Sequence, residues 1–331
     1  MPDHNMQIIK IDSTGHQVDI TSIIGGLTIS GDYRCCTRRL DFYIIKHIED
    51  LSTFVIAVNL GEHIKVIVDG EIIFYGVVWD RTKVTNTAKI NVYCTDFGIY
   101  LTKNFVSYKF KDLTPDVITT KICSDFGINI GNLITTGNPI SRIFINQNLA
   151  DIIISSYNLS STADKFMIIF TNNQLNVIKK GSTEVRAPLS GGVNLYTAEA
   201  SESLDGMINA VNVYNANDNL VTTIINDFEY NHFGSLSEYL KYKDDEDYET
   251  LAKSLLQGIT HKITVENVGD ISYVTGKKIT VKEDYTGLNG IFYIDEDYHT
   301  FRNGTYTNKL VLNYHNIADD KTAGSEETAD D

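Results

Sequence analysis

The densest group of side chains that could carry out chemistry stands near the C-terminal end of the sequence, at Asp295, Glu296, Asp297 and His299. Side chains alternate between the faces of a β-strand, so Asp295, Asp297 and His299 would share one face at a spacing of about 7 Å. Such groups could hold a metal ion, and a carboxylate pair could serve glycoside hydrolysis. Any acidic strand offers this spacing, and we interpret the cluster as a solvated strand face. The three residues are weak metal candidates, and the sequence predicts no catalytic residue and no cofactor.

A basic group stands near the N-terminal end of an otherwise acidic chain, at Arg34, Arg38 and Arg39. Guanidinium groups pair readily with carboxylates, so these arginines are candidates for a charged interface with a partner. The alternative is pairing within the chain, with acids such as Asp32 and Asp41. The sequence favours neither interpretation.

The sequence lacks the common catalytic and nucleotide-binding motifs. It contains no phosphate-binding G-x-x-x-x-G-K-[ST] loop, no G-x-S-x-G elbow and no H-E-x-x-H. An acidic run begins at Asp244, but the Gly and Glu that a calcium loop needs at its sixth and twelfth positions are replaced by Glu249 and Leu255. The four cysteines form no C-x-x-C pair, so neither a zinc nor a redox motif is present.

Length and composition indicate a globular protein of two or three domains. The 331 residues are 42% hydrophobic and 21% charged, with a net charge of −15. Binding to a nucleic-acid backbone depends on clustered Lys and Arg, so tight binding is not expected. The apolar runs fall far short of the ~20 residues of a membrane helix, and the first residues lack a secretory signal. We therefore expect cytoplasmic synthesis without a signal peptide, and no membrane span.

Strand patterns fill the first third of the chain. Residues 63–75 contain two β-branched runs around Asp69-Gly70, which is a strong signal for a β-hairpin. Arg39–Ile45 and residues 89–93 also have the composition of strands. We predict a small antiparallel β-barrel over residues 6–107.

The middle third changes to a helical period. Pro115 suits a first helical turn and Gly127 the end of the same helix, with apolar residues every four positions between them. A second helix is predicted over residues 148–159, followed by a hairpin around Asn172-Asn173. Residues 108–204 are therefore predicted to form an α+β domain.

The last third returns to strands around one predicted helix at residues 247–259, with a second hairpin turn at Asn303-Gly304. We predict a second β-barrel with one helix over residues 205–315. Residues 316–331 have a net charge of −5 and few apolar side chains, so they are predicted to form an acidic disordered tail. The predicted fold class is mainly β, with two tube-like barrels flanking the α+β middle.

Four stretches of the sequence resemble the XkdQ-like baseplate hub proteins of contractile phage tails and phage-tail-like bacteriocins. They are residues 30–45, 61–80, 93–104 and 276–314, towards the two ends of the chain. Each combines a strand and a turn with a following aromatic residue or His, and none is a catalytic signature. Residues 128–240 contribute little to the resemblance.

The resemblance implies a structural role, with two related β-barrels in each chain and a homotrimer. Six barrels would form a ring beneath the hexameric tail tube, and a trimeric central spike would dock from below. The implied partners also include the baseplate wedge proteins and the tape-measure protein, within a phage tail or tail-like particle. Since the three predicted domains and the tail use the whole chain, no lytic domain is expected. The alternative is a cell-wall carbohydrate-active enzyme or a sugar-binding module of the tail tip.

Overall fold

The computed structural model describes residues 4–45, 57–84, 89–243 and 247–326. The chain is divided into a larger unit, residues 1–198 and 264–331, and a smaller unit, residues 199–263. The three predicted domains with boundaries at 107/108 and 204/205 stay a prediction.

The strands and helices are numbered in chain order. The first third contains β1 (Met6–Ile11), β2 (Gln17–Asp19), β3 (Ile24–Asp32), β4 (Arg39–Ile45), β5 (His63–Val68), β6 (Glu71–Val84) and β7 (Lys89–Asp96). The middle contains α1 (Ile99–Lys103), β8 (Phe105–Leu113), α2 (Pro115–Phe126), β9 (Ile130–Leu133), β10 (Ile140–Asn148), α3 (Leu149–Ser160), β11 (Phe166–Thr171), β12 (Gln174–Lys179), β13 (Leu189–Ser190) and β14 (Leu195–Ser203). The last third contains β15 (Ala210–Tyr214), β16 (Leu220–Ile225), α4 (Asp227–Phe233), β17 (Ser237–Lys241), α5 (Tyr248–Leu255), β18 (Thr260–Val268), β19 (Lys278–Glu283), β20 (Leu288–Arg302), β21 (Thr305–Asn313) and β22 (Ser325–Glu326).

The fold is mainly β, as the sequence predicts, and two hairpin turns fall at the predicted dipeptides. Asp69 and Gly70 have φ angles of 52° and 84°, and Asn303 and Gly304 have φ angles of 53° and 72°. Asx-Gly pairs tolerate positive φ, so these turns join β5 to β6 and β20 to β21 without strain.

A large sheet brings early and late strands together. Its order is β14-β18-β21-β20-β3-β4-β7-β6-β5-β1-β2, and β19 pairs with both β20 and β13. The antiparallel β3–β20 pair, from Asp32–Glu296 to Gly26–Arg302, joins the two segments predicted as separate barrels. Among the described strands this order does not close on itself. A core that includes Leu27, Leu40 and Phe301 lies against one side of the sheet.

The middle segment packs α2 and α3 over two three-stranded sheets, β22-β10-β8 and β11-β12-β9. As predicted, Pro115 opens α2, and Gly127, with φ of 64°, ends it. Asn148 caps α3 by accepting a hydrogen bond from the backbone N–H of Asp151 at 2.9 Å. In the part of the chain that the structure describes, no helix has the length and apolarity needed to cross a membrane.

The smaller unit contains the three-stranded sheet β16-β15-β17 and the helices α4 and α5. Val211 and Val213 of β15 are buried together with Ala252 of α5. Helix α5 ends at Leu255, before the predicted end at residue 259. The backbones of Ile208 and Gln257 exchange two hydrogen bonds, of 2.8 and 2.9 Å, and this pairing draws the chain out of the helix.

The predicted disorder of the C-terminal segment does not hold for residues 316–326. Ser325 and Glu326 form β22 against β10. The backbone N–H of Ala323 donates to Ser155 Oγ at 2.8 Å, and the Asn158 amide donates to the carbonyl of Asp319 at 2.7 Å. Composition predicted disorder because the segment has few apolar residues, but polar groups of α3 hold it in place. Residues 327–331 lie outside the described residues, as do residues 244–246 of the acidic run.

Candidate functional site

The acidic and histidine candidates lie on β20, where a β-bulge decides which way they face. The pairing with β21 shifts between Ile294 and Glu296, so Asp295 is the additional residue. A bulge changes which side chains face the core. Asp295, Asp297 and His299 are only 5%, 0% and 3% exposed. The prediction of a solvated face is therefore wrong for these three residues.

Asp297 lies at the centre of a buried ion pair that joins β20 to the start of β4. Arg38 Nη1 and Nη2 donate to its two carboxylate oxygens at 2.9 and 2.5 Å. The backbone N–H and the hydroxyl of Thr275 donate to Oδ1 at 2.7 and 2.6 Å. Burial alone would raise the pKa of Asp297, but Arg38 and the hydrogen-bond donors outweigh it and hold this pKa well below its ordinary value.

His299 continues the network on the far side of Asp297. Its Nδ1 lies 2.7 Å from the Tyr306 hydroxyl and 2.9 Å from Asn308 Nδ2. The Asn308 oxygen accepts the backbone N–H of Asp270 at 2.6 Å, which fixes the amide so that its nitrogen donates to the imidazole. We therefore assign the ring proton to Nε2, which lies 3.1 Å from Asp297 Oδ2. Nδ1 is thus hydrogen-bonded within the protein, whereas Nε2 is buried close to Asp297 Oδ2 and has no hydrogen-bond partner among the described residues.

The bulged residue Asp295 forms a second buried ion pair, with Lys180. Lys180 Nζ also donates to the carbonyl of Ile317 at 2.7 Å and lies 4.4 Å from the ring centroid of Tyr33. Burial lowers the pKa of Lys180 and raises the pKa of Asp295. In each case this effect is larger than the opposite shift that the charge of the partner causes. This pair connects the segment after β12, the bulge and the C-terminal segment.

These contacts argue against a metal ion at the weak candidates Asp295, Asp297 and His299. A metal would have to displace Arg38 and Thr275 from Asp297 and Lys180 from Asp295, leaving two buried cations unpaired. In the described ranges, no three His, Cys, Asp or Glu side chains are arranged to hold a metal. The arrangement joins strands, and the carboxylate oxygens of Asp295 and Asp297 are all hydrogen-bonded to groups of the protein.

The arginine candidates separate into one half-buried residue, Arg38, and two exposed residues, Arg34 and Arg39. Arg38 is used by Asp297, and its side chain is only 16% exposed, so it is not available to a partner surface. Arg34 pairs with Asp32 and Glu296, and Arg39 pairs with Asp41. For these two arginines the structure therefore shows pairing within the chain, with the acids Asp32 and Asp41 that the sequence suggested. The guanidinium of Arg39 also lies 4.4 Å from the ring centroid of Tyr93. The basic and acidic groups of the sequence therefore meet each other across β3 and β20.

A cavity of about 190 Å³ lies beside the network, lined in part by Arg38, Asp96, His299 and Met167. The backbone N–H groups of Arg38 and Gly98 donate to the two oxygens of Asp96 at 2.9 and 3.0 Å. Burial raises the pKa of Asp96 to about 7, against the lowering effect of these donors. Both oxygens hold the local backbone together, and none of Asp295, Glu296 and Asp297 lines this cavity.

Sequence reasoning missed Lys180 and Thr275, which the chain brings to the network from outside β20. One signal for burial was available. Phe301 continues the alternation of Asp297 and His299, and the residue opposite Asp297 on β21 is the fully buried Leu310. An apolar residue on the same face and another across the hairpin indicate a core-facing side.

The sequence is similar to that of a phage-like element protein, and the fold is similar to that of a prophage tail protein. The chain is 23% identical over 251 residues to the phage-like element PBSX protein XkdQ of Bacillus subtilis (strain 168), covering 72% of this chain and 77% of XkdQ. The 43 kDa tail protein of prophage MuSo2 from Shewanella oneidensis has a similar fold, with a TM-score of 0.71 and 13% identity over 98% of this chain and 100% of that protein. The resemblance to XkdQ-like proteins predicted from the sequence is confirmed.

The fold is also similar to that of the E. coli c3393 protein, a component of the type VI secretion system described as structurally similar to the T4 tail proteins gp27 and gp5. That match has a TM-score of 0.52 and 10% identity, over 92% of this chain and 76% of the other. The YQBQ-like family model matches residues 27–313, which is most of the sequence. The chain therefore belongs to the YQBQ-like family.

Proposed function

We propose that this chain is a structural baseplate hub of a contractile tail, in which a homotrimer joins the trimeric central spike to the hexameric tail tube. The observation that carries the proposal is that the side chains that could react connect strands to one another. Arg38 and Asp297 tie the start of β4 to β20, and His299 contacts Tyr306 and Asn308 of β21, in a fold that follows a phage tail protein over almost its full length. A buried ion pair of this kind can fix how strands fit together, and here it engages both carboxylate oxygens of Asp297.

Two strand-rich segments in one chain suit the task of an adaptor. A trimer in which residues 6–107 and 205–315 form related barrels presents six similar units to a sixfold tube and three chains to a threefold spike. The tape-measure protein and the wedge proteins are the further proposed neighbours, and the chain is incorporated into a phage tail or tail-like particle. Superposing the two segments tests this arrangement, and two different topologies would contradict it.

We propose that the hub is not an enzyme. The carboxylates that a cell-wall enzyme could use are either paired with a buried cation, as Asp295 and Asp297 are, or bonded to Arg34, as Glu296 is. A cell-wall enzyme would hold its acids in an apolar cleft. A sugar-binding module of the tail tip is the other alternative, and an exposed row of aromatic side chains that binds peptidoglycan fragments would favour it.

The test is assembly of the native particle. The gene is deleted from its source, and tails are examined by negative-stain imaging, with labelled antibody against the chain in the complemented strain. We expect no complete tails without the chain, and label at the junction of tube and spike with it. Normal tails in the deletion strain, or label elsewhere on the particle, would contradict the hub assignment.

A further inference from the structure

The cavity beside the buried network is lined by both cores of the larger unit. Its volume is about 190 Å³. Ile29 and Phe74 belong to the core on the large sheet, and Ile168 and Phe170 belong to the core of the middle segment. All four side chains are at most 9% exposed. Protein interiors are normally close-packed, so a space of this size between two cores marks a place that a ligand can fill.

One buried polar atom of the cavity wall lacks a partner. His299 lines the cavity and is 3% exposed. Its Nδ1 is hydrogen-bonded within the network, whereas Nε2, which carries the ring proton, has no hydrogen-bond partner among the described residues. Asp297 Oδ2 lies 3.1 Å from Nε2, but this oxygen already accepts from Arg38. A buried donor without an acceptor costs stability, so an oxygen atom that a ligand supplies would be stabilised at Nε2.

The charged side chains that line the cavity have partners within the chain. Arg38 pairs with Asp297, and both oxygens of Asp96 accept backbone N–H groups. Asp32 and Glu71 each pair with an arginine. An ion that entered the cavity would lose its hydration without gaining a counter-charge of its own, so the wall favours a neutral ligand.

The volume of the cavity limits the ligand to about one ring. An apolar cavity of about 150 Å³ binds benzene, and the additional space in a cavity of about 190 Å³ is roughly that of one or two further non-hydrogen atoms. Aliphatic and aromatic side chains gain many dispersion contacts with a flat apolar ring. The unpartnered Nε2 is complementary to one oxygen on that ring.

We propose that this cavity is a binding site for a single phenol-type ring, which is an aromatic ring that carries one neutral oxygen. The ring packs against the apolar wall, and its oxygen accepts a hydrogen bond from His299 Nε2. Binding is non-covalent. Such a site goes beyond the proposed hub role and is independent of it, because the site needs only one folded chain.

A phenol ring can reach the cavity from two sources, a free small molecule or the tyrosine side chain of a neighbouring protein. The lining residues Cys35, Glu71 and Asn172 are exposed, so they lie at the opening. A free molecule needs only a passage between these side chains, whereas a tyrosine needs an opening that also admits the backbone beside it. Two probes separate the sources: p-cresol, which is the tyrosine side chain without a backbone, and a capped glycine-tyrosine-glycine peptide.

The experiment measures binding to the full chain by isothermal titration calorimetry, with p-cresol and with toluene, which lacks the oxygen. We expect one p-cresol molecule per chain, with a dissociation constant on the order of 0.1 mM for a ligand of this size. Toluene should bind about tenfold more weakly, because it leaves Nε2 without an acceptor. Equal affinities for the two probes would overturn the phenol assignment.

A substitution that fills the cavity tests its location. Ile169 is half-buried and lines the cavity, so Ile169→Trp should weaken p-cresol binding by about tenfold or more. The matched control is Ile145→Trp, at a position on β10 that is 68% exposed and outside the cavity wall. This control should bind p-cresol as the wild type does. Circular dichroism confirms that each variant is folded.

A crystal soaked with 4-bromophenol locates the ring without any substitution, since bromine gives an anomalous signal. We expect the bromine inside the cavity and the phenol oxygen about 2.7–3.2 Å from His299 Nε2. A ring bound elsewhere, or a wild type that does not bind p-cresol, would overturn the site.

The capped peptide then identifies the source of the ring. Binding of both the peptide and p-cresol supports a tyrosine of a neighbouring protein as the occupant, and binding of p-cresol alone supports a small molecule. None of these measurements involves particle assembly, so failure of the site and failure of the hub assignment are distinguishable.

Discussion

At the level of single residues, Arg38 and Asp297 depend on each other because both are taken out of water. Asp297 is fully buried and Arg38 is 16% exposed. Replacing Asp297 with Asn leaves the Arg38 guanidinium without its counter-charge. Replacing Arg38 with Gln likewise leaves the Asp297 carboxylate without a counter-charge. We expect either change to lower the free energy of unfolding by about 3–5 kcal/mol, measured by urea denaturation.

The control for that prediction is the exposed pair Arg39–Asp41, whose side chains are 56% and 44% exposed. Arg39→Gln removes the same kind of contact in water, and exposed ion pairs contribute at most about 1 kcal/mol. If Asp297→Asn cost no more than Arg39→Gln, the buried pair would not hold the strands together as argued.

Asp96 gives a second residue-level prediction, in the dependence of stability on pH. Burial raises its pKa from 3.8 to about 7 in the folded chain. A group with a raised folded pKa stabilises the fold fully below its unfolded pKa, and this contribution is lost as pH rises through the folded value. From pH 4 to 7, the unfolding free energy of the wild type should therefore fall relative to that of Asp96→Asn.

The pH dependence of stability that Asp297 contributes has the opposite sign, so this residue serves as the comparison. Its pKa is depressed, so its contribution is present above the ordinary Asp value of 3.8 and is lost as the pH falls further. The measurement is urea denaturation of wild type, Asp96→Asn and Asp297→Asn at several pH values. A constant difference between wild type and Asp96→Asn from pH 4 to 7 would show that Asp96 does not titrate as described.

At the level of elements, local signals were enough to predict the hairpin turns and the limits of α2, whereas features that depend on distant segments could not be predicted. The Asp69-Gly70 turn and the limits of α2 follow from residues a few positions apart, because backbone preference is local. The bulge at Asp295 could not be predicted, since it is defined by the partner strand. Helix α5 ended early for the same reason, because Ile208 pairs with Gln257 from outside the helix.

The C-terminal segment yields the element-level prediction. Lys180 Nζ has Asp295 and the carbonyl of Ile317 as acceptors, and Ala323 bonds to α3. Ending the chain at residue 315 removes the carbonyl from a buried ammonium group, which is costly when left unreplaced. We expect a lower urea midpoint for the truncated chain than for the full chain.

The matched control replaces an exposed contact of the same segment. Lys165→Ala removes the ion pair with Asp320, whose side chain is 71% exposed, and should change the midpoint little. Equal midpoints for the full and truncated chains would show that residues 316–326 add nothing to stability.

At the level of the whole molecule, the role of the candidate residues is determined by a contact between two segments that are distant in the sequence. Arg38 and Asp297 are separated by 259 positions, so the sequence presented a basic group and an acidic group with no link between them. The β3–β20 pair brings them into contact and turns two apparent sites into one buried connection. The sequence showed which residues could pair or bind, but not which of them contact each other. Those contacts depend on the strand order, which the whole chain determines.

The last prediction concerns activity: the purified chain should not hydrolyse peptidoglycan. A glycosidase needs one carboxyl that donates a proton and a second that is free to act as base or nucleophile. Arg38 and Thr275 occupy the oxygens of Asp297, and its depressed pKa removes it as a proton donor. Glu296 is engaged by Arg34. The assay is clearing of a purified cell-wall suspension by the wild type and by Glu296→Gln. We expect both to match the buffer control, whereas clearing by the wild type that Glu296→Gln abolishes would favour the cell-wall enzyme instead.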